Sequence, residues 1–391
     1  MPVEQKKRSL SLDIIRIIAF ISVPCVHFFL HNGFYGTPVV GGKMYAMTIV
    51  RNFFMICVPM FMIITGYLMV GKKVELNKKS LLKFYFKLSK VLSTYLLATV
   101  ILLLFRIYYS KEDLSLFDCI INILTFQQYS WYVNMYIGTF LLIPLLNAMW
   151  HSTDSKESHF AAVIIMCLLT VVPTVLNIYD LTTKGALTQP WKSTTATLTQ
   201  IYPGWWGSIY PITYYFIGAY MKSHVDASKL HASKIALMLI FSVMVFGIYN
   251  IWRSYSVIFS WGQWCDWPSL QNTVNATLVF LLVLSFHVPD KENFGSKALK
   301  SISNLTFGAY LLSWGSDVYI YPKLIVKVPV MQDRFAYMPL CVGTSVLMAL
   351  TCSFLLNIIK WLINKLITII KNKVKPPVKP DVVPDKQKVK A

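Results

Sequence analysis

The chain has 391 residues, 55% of them hydrophobic and 14% charged, where soluble domains carry about 25% charged residues; it reads as an all-α, polytopic membrane protein. Its net charge is +20, but the basic residues sit in loops between apolar stretches and in a C-terminal tail. There topology and anionic lipid account for them, and no basic folded unit remains to bind nucleic acid.

The N-terminus, MPVEQKKRS, is basic and lacks a small-residue cleavage site, so the first apolar stretch is expected to stay as a helix. Ten spans are predicted at about 10–31, 46–70, 84–107, 131–150, 159–178, 206–222, 235–253, 269–287, 304–322 and 337–363. The stretch 114–127 is too short to span and is expected to be re-entrant or interfacial. With the N-terminus inside, the inner loops, their flanks and the tail hold the larger part of the 37 Lys and Arg. That asymmetry predicts both termini to be cytoplasmic, in a multi-pass protein of the plasma membrane.

Trp131, Trp191, Trp205, Trp206, Trp261, Trp264 and Trp267 fall near outer span ends or in outer loops. Two readings stay open for them: an interfacial anchoring belt, or a platform for a sugar ring. The longest outer connection, 179–205, contains Pro190 and Pro203 and is a candidate lid. No internal repeat relates the two halves, which disfavours a transporter built from inverted repeats. Residues 1–370 are expected to form one transmembrane domain and 371–391, Lys- and Pro-rich, a disordered cytoplasmic tail near anionic headgroups. The seven cysteines are dispersed, with no C-x-x-C, and read as core packing rather than as a disulfide framework or metal site.

The first span carries Asp13, Arg16 and His27 inside a stretch that crosses hydrocarbon. Ionisable groups there cost at least ~2.5–3.5 kcal/mol each for Asp and Arg and mark a pathway or a reaction centre. Arg16 and His27 are eleven positions apart, so they share a helical face within ~20° and stand ~16 Å apart along the axis. Asp13 lies three residues before Arg16 and can pair with it, either as a neutralised helix end or as part of an anion site. A buried neutral imidazole at His27 suits general-base work on a hydroxyl. His31 makes an H-x-x-x-H pair with His27, but no third ligand stands at metal spacing, so no metal is expected. No glycine-rich phosphate loop, G-x-S-x-G or H-E-x-x-H is present.

These residues carry a resemblance to the membrane acyltransferase-3 family. LDIIR followed by the R-x10-H spacing of Arg16 and His27 is similar to that family's first-helix signature. VPMFMIITGYLM (58–69) resembles its second helix, with Thr65 at the usual Ser, and KKSLLKFYFKLSKVLSTYL (78–96) its basic third segment, with Lys83, Lys87 and Lys90 where relatives often have Arg. WYVNMYIGTFLLIPLLNAM (131–149) resembles its Trp-led helix, and SISNLTFGAYLLS (301–313) its late helix, with Ser313 in place of a frequent His. The resemblance covers most of residues 8–320. It implies transfer of an acyl group, commonly acetyl from acetyl-CoA, to a hydroxyl of a cell-surface or lipid-linked glycan, with the R-x10-H pair mapping onto Arg16 and His27.

On that basis cytoplasmic acyl-CoA sets its phosphates against Arg16 and a basic rim of Lys78, Lys79, Lys83 and Lys87. The thioester reaches His27, which acts as base or as acyl relay. Asp317 is the expected anionic partner of His27, and Trp131, Tyr132, Asn134 and Tyr136 the residues expected to orient the acceptor or polarise the carbonyl. The acyl group is open between acetyl and succinyl. A flippase or transporter of a lipid-linked oligosaccharide is the alternative, and a membrane sensor or structural partner docking through the basic tail a third reading.

Overall fold

Apolar stretches this long have to satisfy their own backbone hydrogen bonds inside a bilayer, and the helix is the open-chain solution. The computed structural model describes residues 9–181, 198–286, 288 and 292–374. Among them the regular structure is helical, with two isolated bridges, Pro38 to Ile258 and Val39 to Tyr255, as the β contacts. Trp191 and Pro190 of the expected lid, and residues 375–391 of the expected tail, lie outside the described residues.

The first half runs through α1 (Leu10–His31), α2 (Gly42–Phe54), α3 (Cys57–Met69), α4 (Lys78–Tyr85), α5 (Leu88–Tyr108), α6 (Leu116–Leu124) and α7 (Trp131–Trp150). The second half continues with α8 (Lys156–Thr170), α9 (Pro173–Leu176), α10 (Tyr210–His224), α11 (Ala232–Arg253), α12 (Leu270–Ser285), α13 (Phe294–Lys327) and α14 (Met338–Val374). Among the described residues, seven helical stretches are long and apolar enough to cross a membrane. The other three predicted spans fall on α10 and α12, of 15 and 16 residues, and on α13, of 34 residues and rich in polar side chains.

The predicted span 46–70 is two helices. Pro59 lacks an N–H and its ring opposes the Met55 carbonyl, so the chain turns at Met55–Ile56 before α3 begins. Pro173 likewise opens α9 after a turn at Val171–Val172. Side chains fix several starts: Asn77 caps α4, Ser155 caps α8, Ser269 caps α12, and Asn293 with Ser296 forms a reciprocal capping box on α13. The stretch 114–127 holds only α6, nine residues with Leu116, Phe117 and Leu124 exposed.

α1 is the axle of the bundle, in contact with α2, α3, α12, α13 and α14. It runs parallel to α13 in constant register. Ser303 bonds Asp13 and Asp317 bonds His27, each pair 290 positions apart in sequence. The polar groups on α1 are therefore met level by level by polar groups on α13.

α3 and α10 approach closely. A Cβ added at Gly66 would fall within contact distance of the Tyr215 carbonyl oxygen, and one at Gly218 would do the same to the Ile63 carbonyl oxygen. Small residues let membrane helices approach this closely. Gly66→Ala is expected to destabilise the bundle by ~1–3 kcal/mol through overpacking. Gly138→Ala, where a Cβ meets nothing within 4 Å, is expected to be neutral. Thermal unfolding of both variants in detergent checks the contrast.

Candidate active site

At the C-terminal end of α1 a hydrogen-bond cluster joins three helices and a loop. His27 Nδ1 lies 2.8 Å from Asp317 Oδ2 on α13. The same oxygen accepts from the Tyr129 hydroxyl at 3.0 Å, and Asp317 Oδ1 accepts from Ser345 Oγ of α14 at 3.1 Å. The Asp317 side chain is fully buried and that of His27 is 10% exposed. An ionised carboxylate only accepts, so the proton of the His27 ring sits on Nδ1. Nε2 is thereby left with a lone pair, on a ring that lines a cavity of about 260 Å³.

Tyr129 completes the cluster. Its ring lies 3.8 Å from that of His27, centroid to centroid. A hydroxyl has one proton, so donating to Asp317 leaves it to accept from His31 Nε2 at 2.5 Å. Phe126 and Gln128, just ahead of it, hold φ of +52° and +59°, a backbone region that non-glycine residues seldom occupy. Strained backbone beside a buried polar cluster marks the segment as placed for function rather than for local comfort. The Tyr310 hydroxyl donates to the Tyr129 backbone carbonyl and holds that segment against α13.

Toward the other end of α1, Arg16 Nη1 donates to Asp13 Oδ1 at 3.1 Å, and Ser303 Oγ donates to the same oxygen at 2.7 Å. Asp13 is fully buried, whereas the Arg16 side chain is 28% exposed and lines a second cavity of about 640 Å³. The buried carboxylate holds the guanidinium at the wall of that cavity. Phe61, Tyr132 and Tyr310 line both cavities, so the two meet at those rings.

Of the residues singled out from the sequence, the structure brings His27 and Asp317 together and sets Arg16 in the neighbouring cavity. Trp131 and Tyr132 line the His27 cavity. Tyr136 lines the Arg16 cavity instead, and Asn134 is exposed and lines neither. Lys78, Lys79, Lys83 and Lys87 are exposed on α4 and the start of α5 and do not line the Arg16 cavity. Lys87 stands one turn before Val91, which does line it. Lys72, in the loop after α3, has its ammonium pKa pushed below the usual lysine range by burial and, secondarily, by Lys87. Repulsion between two such cations is relieved by an anion placed between them.

The sequence reading missed Tyr129, Ser345 and Ser303. Trp261 and Trp267, read from the sequence as an anchoring belt or a sugar platform, both line the His27 cavity, where Trp131 and Trp267 lie 5.7 Å apart. Trp261 is held by buried Arg51, whose guanidinium sits 4.2 Å from the Trp261 ring centroid and bonds the Tyr35 hydroxyl at 2.9 Å. Among the described residues no three His, Cys, Asp or Glu side chains gather to hold a metal ion.

A family model described as an acyltransferase domain, of the acyltransferase-3 type, matches residues 9–358. The chain belongs to the acyltransferase-3 family. No curated protein and no solved structure matches it. As a family member it is a multi-pass membrane acyltransferase, and it has to bind an acyl donor and an acceptor. The matched range takes in every residue that lines the two cavities, from Arg16 of α1 to Tyr310 of α13.

Proposed function

We propose that this acyltransferase moves a short acyl group, acetyl in the simplest case, from cytoplasmic acyl-CoA to a hydroxyl of a cell-surface or lipid-linked glycan. The observation that carries the reading is the His27–Asp317 pair, with the His27 side chain on a cavity that shares three aromatic residues with a second one lined by Arg16. An aspartate holding Nδ1 of a histidine is the orienting half of an acyl-transfer triad; the acceptor hydroxyl takes the place of the serine.

In this scheme Arg16, aimed by Asp13, attracts the donor's phosphates, and Lys72 and Lys87 add positive charge at the rim. The thioester lies beside His27. His27 Nε2 takes the acceptor proton as the acceptor oxygen attacks the thioester carbonyl, and Asp317 stabilises the imidazolium that forms. The C–S bond then breaks, the leaving thiolate recovers the proton from His27, and ester and coenzyme A thiol result. Trp131, Trp261 and Trp267 give flat apolar faces against which a sugar ring can lie.

Mass spectrometry of surface glycan from cells with and without the gene tests the reading. Loss of an ester-linked acyl group on deletion, restored by the wild-type gene, is the expected result. Unchanged esterification together with lost glycan export would overturn it in favour of a lipid-linked oligosaccharide flippase.

A further inference from the structure

The two cavities are joined through aromatic rings rather than through a polar passage. Phe61 comes from α3, Tyr132 from α7 and Tyr310 from α13, and these three side chains line both spaces. The Phe61 and Tyr132 rings lie 5.5 Å apart, and those of Tyr132 and Tyr310 lie 5.8 Å apart at 80°. Tyr132 and Tyr310 are buried, and the Tyr310 ring is pinned by its bond to the Tyr129 carbonyl. The rings are therefore a fixed wall, tied through Tyr129 to the carboxylate that holds His27.

Arg16 and His27 open on different sides of this wall, some ~16 Å apart along α1. A donor held by its phosphates at Arg16 can deliver its thioester to His27 only between the three rings. We propose that Phe61, Tyr132 and Tyr310 form a collar around the donor's thioester arm and fix the acyl length that is transferred. The proposal rests on the acyl-CoA reading above and adds the residues that set its selectivity.

The collar favours acetyl for a physical reason. Beyond it lies a cavity of about 260 Å³ that the acceptor also has to enter. A longer chain displaces the acceptor or has to fold back between rings held in place by their packing. Phe61 is the adjustable member, because its side chain makes no hydrogen bond whose loss would unpair a buried partner. Removing its ring opens room beside the thioester carbonyl without touching His27, Asp317 or Tyr129.

The test uses the purified full chain in lipid nanodiscs with water as acceptor. Coenzyme A thiol release is read from acetyl-, butyryl- and octanoyl-CoA. Water loses a proton to His27, a C–O bond forms, the C–S bond breaks, and carboxylate and thiol appear in equal amounts. Wild type is expected to release thiol fastest from acetyl-CoA. Phe61→Ala is expected to raise the octanoyl-to-acetyl rate ratio by roughly tenfold or more, the scale at which apolar pockets discriminate chain length. Phe61→Leu is expected to fall between, and Phe160→Ala, at an exposed ring away from both cavities, to leave the ratio unchanged.

An unchanged ratio in Phe61→Ala and Phe61→Leu, in protein that still hydrolyses acetyl-CoA, would sink the collar and leave the acyltransferase mechanism standing. Thiol release by wild type no faster than by His27→Ala, from all three donors, would remove the acyl-CoA mechanism and the collar with it.

Discussion

His27→Ala is expected to reduce acyl transfer by roughly 10²–10⁴-fold, the usual contribution of a positioned general base. The loss should appear in the rate and not in the amount of folded protein. Asp317 keeps two of its three donors, Tyr129 at 3.0 Å and Ser345 at 3.1 Å, so the variant does not strand a bare buried charge. Ester content of the surface glycan, set against the monodisperse peak of the purified variant, separates chemistry from folding. Rapid quenching with acyl-CoA and no acceptor goes further. As a base, His27 leaves no acyl group on the protein; as a relay, it leaves an acyl-imidazole in wild type that the variant lacks. Transfer at the wild-type rate in His27→Ala would remove this residue from the chemistry.

How much of the molecule could be read beforehand follows from which contacts are local. The bounds of α1 and α7 are those expected at 10–31 and 131–150, because each is one apolar run ended by turn-forming residues. The turn at Met55–Ile56 is written in the sequence as Pro59, but hydropathy averages across it. Arg16 and Asp13 are one helical turn apart, so their pairing is legible from spacing alone.

An imidazolium in hydrocarbon needs an anion, and that need alone points to Asp317; its register with His27 depends on α1 and α13 lying parallel, which no local pattern encodes. Tyr129 gave less still. It reaches the carboxylate from a short loop whose backbone at Phe126 and Gln128 is bent against the preference of those residues. Propensity speaks against that geometry, so sequence reasoning passes over it. The lysines of α4 show the reverse error. Charge composition marks a basic rim, but a helix directs each side chain separately, and Lys78, Lys79 and Lys83 do not line the Arg16 cavity.

The second large effect is expected at Asp317, where two substitutions should separate charge from orientation. Asp317→Asn keeps the volume. Its amide nitrogen can face Ser345, whose hydroxyl is able to turn and accept, while its carbonyl oxygen stays toward His27 Nδ1 and Tyr129. The imidazole then keeps its tautomer and loses only the negative charge that stabilises the imidazolium. A hydrogen bond to a charged group is worth about 1.5–3 kcal/mol, so the transfer rate should fall roughly 10- to 150-fold. Asp317→Ala removes the acceptor altogether. His27 Nδ1 and the Tyr129 hydroxyl lose their common partner, the ring is no longer held, and the rate should fall toward that of His27→Ala. Rates for the two variants, normalised to folded protein, give the comparison. Equal losses in Asn and Ala would mean that charge alone matters and that orientation by Asp317 contributes nothing. A wild-type rate in Asp317→Ala would make the pair a buried structural contact, and the base at His27 would then have to work without an oriented proton on Nδ1.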